Sequence, residues 1–285
     1  MTTPRRITPL ALAGALAGAL VASSGASQAV TWSDTSVGYR HGREFHEPNN
    51  PRDVEKHVLQ FSHASGYTMG QNFLNLDIYR SDEADPTVRG GSKGATELYL
   101  VYRHQLHLGK ALGKSFGFGP VKELALTAGF DLNTKNSPVQ PRKRLLVAGP
   151  TLKFDVPGFL DVSLLFGREW NQNKLGSPKQ RIAFDPQWIL AAAWGIPFTV
   201  GAVPLKFQGF ANHLSKRGAD YNGRKTKAET LMRTALMIDV GQMVSGRKNT
   251  FLMGVGYEYW RNKFGNHGIP GVDVDAPVFQ AEWHF

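Results

Sequence analysis

The stretch Pro277–Phe285, PVFQAEWHF, decides how the chain is read. Its alternate residues Phe279, Ala281, Trp283 and Phe285 are apolar, while Gln280, Glu282 and His284 between them are polar. A period of two marks a strand with two unlike faces. A water-soluble domain usually finishes in a frayed polar tail, whereas this run reads as a structural element. It is expected to be a closing strand whose apolar face meets lipid, with Trp283 and Phe285 in an interfacial aromatic girdle.

The opposite terminus fits that expectation. Arg5 and Arg6 precede LALAGALAGALVA and then SSGASQA, with Ser27 and Ala29 at the small-residue positions before a cut. This pattern predicts a secretory signal peptide over residues 1–29 and an exported barrel over 30–285. The apolar core is short and Gly-rich, which argues against a membrane anchor. Removal of 1–29 takes away two arginines and no acid, leaving 31 basic against 23 acidic residues, a formal charge of +8. Cysteine is absent, so disulfide, thiol and zinc-thiolate chemistry are excluded.

Between these ends the chain shows no run with an amphipathic helical period, and short alternating segments recur throughout. Strands are expected near 35–41, 55–63, 72–81, 95–107, 121–132, 143–155, 159–170, 186–195, 203–213, 228–240, 250–261 and 276–285. The predicted fold class is all-β, a transmembrane antiparallel barrel of about twelve strands. The connections support the same count. Odd-numbered links are long and polar: GREFHEPNNPRD (42–53), DEADPTVRGGSKG (82–94), NTKNSPVQPRK (133–143), NQNKLGSPKQRIAF (171–184), LSKRGADYNGRKTK (214–227) and FGNHGIPGVDVD (264–275). Even-numbered links are mostly tight, as in ASGYTMG, VPGF and GIPFTVGAVP, with LGKALGKSFGFGP the exception. Outer-membrane barrels alternate in this way, with long loops outside and short turns facing the periplasm.

Within strands the two faces separate cleanly. Leu205, Phe207, Gly209 and Ala211 oppose Lys206, Gln208, Phe210 and Asn212; Leu160, Val162, Leu164 and Phe166 oppose Asp161, Ser163, Gly167 and Glu169, with Leu165 out of pattern. Phe251, Met253, Val255, Tyr257 and Tyr259 oppose Gly254, Gly256 and Glu258. Only helices and closed barrels satisfy every backbone polar group in hydrocarbon. The one stretch long and apolar enough to suggest a helix, WILAAAWGIPFTVGAVP, is broken by Gly195, Pro197, Gly201 and Pro204.

Several segments carry a family resemblance. EPNNP (47–51), HASGYTMGQNFLNLDIYRSD (63–82), FGPVKE (118–123), VPGF (156–159), PLKFQGFAN (204–212) and YEYWRNKFG (257–265), followed by a strand ending in Phe, resemble the Tsx-type nucleoside-specific channels of the outer membrane. The resemblance implies a monomeric twelve-stranded narrow barrel in the outer membrane of a Gram-negative bacterium. It would pass nucleosides or other small hydrophilic solutes through weak lumenal sites, and the terminal Phe would be read by the outer-membrane barrel assembly machinery. Surface-receptor roles occur in some members.

A pore selective for nucleosides needs aromatic faces for the base and hydrogen-bonding groups for the ribose. In NFLNLDIYRSD, Leu74, Leu76 and Ile78 are assigned to lipid, leaving Phe73, Asn75, Asp77 and Tyr79 in the lumen. The same alternation puts Glu97, Tyr99 and Arg103 inside, with Phe210 and Asn212 able to face them. Lumenal charges also pair across strands simply to fill a small barrel. The basic cluster Lys216, Arg217, Arg224, Lys225 and Lys227 is assigned to a solvated outer loop near lipid and lipopolysaccharide. No nucleic-acid-binding module is present.

Two spacings, His63-Ala64-Ser65 and His213-Leu214-Ser215, invite comparison with barrel lipid hydrolases, which place a serine against its base. The serines fall at strand ends or in connections, and Asn212 points away, so an enzyme is not expected. The nine histidines show no metal-ligand spacing on a common element, and no metal site or obligatory cofactor is expected.

Overall fold

A computed structural model describes residues 29–174 and 180–285. The expected signal peptide lies almost wholly outside the described residues. The chain forms β1 (Val30–Glu47), β2 (Asn50–Tyr67), β3 (Gly70–Ser81), β4 (Thr96–His107), β5 (Val121–Lys135), β6 (Arg142–Phe154), β7 (Phe159–Gln172), β8 (Arg181–Ala183), β9 (Gln187–Val200), β10 (Val203–Leu214), β11 (Glu229–Asp239), β12 (Phe251–Arg261) and β13 (Val274–His284), with short helices α1 (Leu108–Leu112) and α2 (Val240–Ser245). Each strand pairs antiparallel with its neighbour in sequence, except that β7 pairs with both β8 and β9. The terminal strands close the ring, with Val37 opposite Trp283 and Tyr39 opposite Ala281. β8 is a three-residue rung on the upper end of β7, so the closed wall has 12 strands.

Along the regular spans the observed faces match the alternation in sequence; in β1 a register shift between Gly42 and Phe45 changes the parity, so that Phe45 is buried inside as Arg40 is. Leu59, Phe61, Leu164, Phe166, Phe207, Val255, Phe279 and Trp283 are exposed on the outer wall, whereas Arg40, Lys56, Asp77, Asp131, Glu169 and Glu258 are buried inside. An apolar outside and a charged inside invert the arrangement of a soluble barrel, and this inversion is what a bilayer demands. The protein is an outer-membrane β-barrel. Among the described residues no helix is long and apolar enough to cross a membrane. Leu165 is no misfit: it turns inward and packs with Leu145, Val147, Ile189 and Leu214 in an apolar patch of the lumen.

β1 starts and β13 finishes at the end of the barrel with the tight turns, where Phe285 N–H donates to Thr35 O at 2.9 Å. There the rings of Phe251 and Trp283 meet at 6.1 Å, tilted by 57°, in the lower aromatic girdle. The expected long link 42–53 does not exist as a loop. β1 and β2 run on as one 18-residue pair each, joined by Pro48 and Asn49, with Glu47 opposite Asn50. Pro48 supplies the fixed φ for the first corner of the turn, and Asn49 takes φ 65°, a left-handed conformation that asparagine tolerates. The ribbon was missed because, above the bilayer, both its faces are wet and the apolar alternation that identifies a strand disappears. Likewise β9 continues through Phe198 to Val200, so only Gly201 and Ala202 turn between β9 and β10.

Candidate lumenal site

The barrel interior is organised as layers of charge. At mid-height Asp77 on β3 is the hub. Its Oδ2 accepts from Arg40 Nη2 at 2.7 Å, Tyr79 Oη at 2.9 Å and Arg233 Nη1 at 3.1 Å, and its Oδ1 accepts from Asn75 Nδ2 at 3.0 Å. Arg40 also donates to Gln60, which joins Ser62 and Asn75. Gly38 beside Arg40 keeps this space open, since a Cβ there would stand 3.3 Å from Gln60 Oε1.

β11 is separated from β3 along the wall by β12, β13, β1 and β2, so Arg233 reaches Asp77 and Tyr79 only by crossing the lumen. Behind it, Glu258 accepts from Arg233 Nε at 3.0 Å and Nη2 at 2.8 Å. Phe210 covers the guanidinium at 5.4 Å, a cation–π contact.

A second layer spans β4 to β7. Arg103 pairs with Asp131 at 2.7 Å, Tyr99 Oη donates to Asp131 Oδ2 at 3.0 Å, and Lys143 Nζ donates to Tyr99 Oη at 3.2 Å. Glu97 accepts from Asn133, and Lys135 stands 3.9 Å from it. Lys135 also pairs with Glu47 at 3.1 Å, as do Lys56 at 2.5 Å and Lys263 at 3.2 Å, which ties the upper ribbon to the outer loops. Burial lowers the pKa of the Lys263 ammonium despite the opposing pull of Glu47.

The upper vestibule differs from both layers. Arg217 folds down from the β10–β11 loop, donates to Glu229 at 3.0 Å and stands 3.6 Å from Glu169, with Phe184 beneath it at 5.0 Å. Burial would depress the pKa of its guanidinium, but Glu169 and Glu229 raise it above the ordinary value. Near this pair several buried polar atoms have no hydrogen-bond partner among the described residues: both amide atoms of Gln187, Asn171 Oδ1, Tyr221 Oη and Glu169 Oε2. Gln187 is only 3% exposed, so solvent does not reach its amide freely. Buried polar groups ordinarily have partners, and such a cluster has capacity to bind a polar molecule.

No family model and no curated protein sequence matches this chain. Among solved structures, the KdgM porin is 11% identical with a TM-score of 0.42, covering 88% of this chain and 99% of its own. The NanC porin is also 11% identical, with a TM-score of 0.44 over 88% and 99%. The translocator domain of the autotransporter NalP from Neisseria meningitidis is 13% identical, with a TM-score of 0.45 over 97% of each chain. The barrel assignment rests on the strand pairing and the inverted polarity described above.

Of the residues expected in the lumen, Asn75, Asp77, Tyr79 and Phe210 meet in the central cluster, while Glu97, Tyr99 and Arg103 belong to the second layer. Phe73 shares the inward parity of β3 and is 40% exposed. Asn212 lies two residues from Phe210 on the same face and joins neither network. Sequence reading missed Arg40, Arg233, Glu258, Gln187 and Tyr221. Arg233 carried a legible signal, as the one cation in the mostly apolar run ETLMRTALMID, since a charge on such a strand has to face the lumen.

The serine–histidine spacings do not assemble a nucleophile and base. His63 Nδ1 bonds the Thr35 hydroxyl and His213 Nδ1 the Thr230 hydroxyl, each at 2.8 Å. Ser215 Oγ donates to Lys216 O and accepts from Trp188 N–H. An open groove of about 800 Å³ lies on the outer wall between Phe130, Leu146 and Trp170, apart from the lumenal path.

Proposed function

We propose that the barrel is a channel for passive uptake of small hydrophilic solutes, and that nucleosides are its preferred class. The reading is carried by the vestibule, where Gln187, Asn171 and Tyr221 hold unpartnered buried hydrogen-bonding atoms beside the Glu169–Arg217 pair. A ribose offers hydroxyls that both donate and accept, matching amide, carboxylate and phenol. Below the vestibule, Phe210 under Arg233 and the partly exposed Phe73 supply flat surfaces on which a base can stack. The Asp77–Arg233 bridge narrows the path at mid-height, so passage requires a solute to skirt or part it.

Conductance of the purified protein in planar bilayers with titrated nucleosides tests the proposal. Current block that saturates with adenosine or thymidine, and not with a sugar of similar size, is the expected result. Indifference to nucleosides with intact conductance leaves a channel of other selectivity, and absence of conductance removes the channel itself.

A further inference from the structure

Outside the lumen, the upper ribbon brings together three side chains that the sequence scatters. His41 and His57 are direct cross-strand partners on β1 and β2, and Glu55 lies two residues from His57 on the same outer face. The ligating atoms of the three all lie within 4.8 Å of one another. Glu55 Oε1 stands 2.8 Å from His41 Nε2 and 3.6 Å from His57 Nε2. Tetrahedral zinc with bonds of about 2.0–2.1 Å separates its ligand atoms by roughly 3.3 Å, a spacing within this spread. The imidazole rings stack at 4.7 Å with 22° between their planes, and both Nε2 atoms stand within 3.6 Å of Glu55 Oε1.

The surroundings suit a metal. Tyr39 Oη stands 2.6 Å from His57 Nδ1, and in the tautomer whose Nδ1–H donates to it the Nε2 lone pair is left for coordination. Glu55 uses its other oxygen, Oε2, toward Arg43 at 3.7 Å, leaving Oε1 to the histidines. Arg80, cross-strand from His57, turns its guanidinium to Thr96 at 3.0 Å. All three candidate ligands are reached by solvent above the apolar belt, with side-chain exposures of 25%, 34% and 52% for His41, Glu55 and His57. We infer that His41, Glu55 and His57 form a surface site for a divalent transition metal of the zinc or copper class, with a coordination position open to solvent. Two imidazoles and one carboxylate favour these ions over magnesium or calcium, which prefer all-oxygen shells.

Untagged protein in detergent micelles is titrated with Zn²⁺ by calorimetry and with Cu²⁺ by electron paramagnetic resonance. One equivalent is expected to bind, with hyperfine coupling to two imidazole nitrogens. His57→Ala should reduce the coupling to one nitrogen, Glu55→Gln should weaken Zn²⁺ binding, and Tyr39→Phe should weaken it about tenfold or more through loss of the orienting contact. His46→Ala, a change to a neighbouring histidine paired with Asp53, should bind as the parent does. Heat-modifiable migration verifies that each variant is folded. Stoichiometric binding that survives the combined His41→Ala and His57→Ala changes, or no binding by the parent at all, overturns the site. Neither outcome bears on solute passage, because the cluster lies outside the barrel.

Discussion

The central cluster around Asp77 and the vestibule around Glu169 are both buried, charged and lumenal, yet they differ in how completely their atoms are partnered. At Asp77 both carboxylate oxygens have donors, and Arg233 is shared between Asp77, Tyr79 and Glu258. Around Glu169, in contrast, Gln187, Asn171 and Tyr221 keep atoms without a partner among the described residues. A fully satisfied network stiffens the wall and fixes its register, whereas a partly satisfied one has capacity left for a ligand. Charge density alone therefore does not locate a binding site in a narrow barrel.

Asp77→Ala is the most severe way to break the contrast. It leaves Arg40 and Arg233 buried without their shared carboxylate and should cost about 3–5 kcal/mol, seen as a lower urea midpoint for the micelle-folded protein. A midpoint equal to that of the parent would show that the cluster contributes nothing to the wall. The change is expected to compromise assembly as well as any nucleoside block, which makes it a poor probe of binding. Arg233→Ala removes the bridge that spans the lumen while Asp77 keeps Arg40. Single-channel conductance should rise, and an unchanged value would place the narrowest point elsewhere. The smallest effect on stability is expected from Gln187→Leu. Removing an unpartnered buried amide should leave stability equal or raise it by roughly 1 kcal/mol, while nucleoside block weakens about tenfold. Lost stability with unaltered block would reverse the roles given to the two regions.

Much of the barrel was legible without coordinates. Strand number, the inward set Asn75, Asp77, Tyr79, Glu97, Tyr99 and Arg103, and the outward set on β13 all follow from a period of two, because a bilayer penalises any strand that presents the wrong face. Where that penalty ends, legibility ended too: the β1–β2 ribbon above the membrane reads in sequence as a polar loop.

What sequence determined by itself was which side of the wall each residue takes along the regular spans, since there facing depends only on a residue's place along its own strand; past the register shift between Gly42 and Phe45 in β1 the parity changes, and that only the fold decided. Which residues meet was decided by closure and register. Arg233 and Asp77 lie 156 positions apart and touch because the ring brings β11 opposite β3. His41 and His57 become neighbours because the hairpin turn at Pro48 and Asn49, together with the register shifts between Gly42 and Glu47, sets their pairing, and hydrogen-bond register between strands is a property of the folded sheet that no single strand encodes.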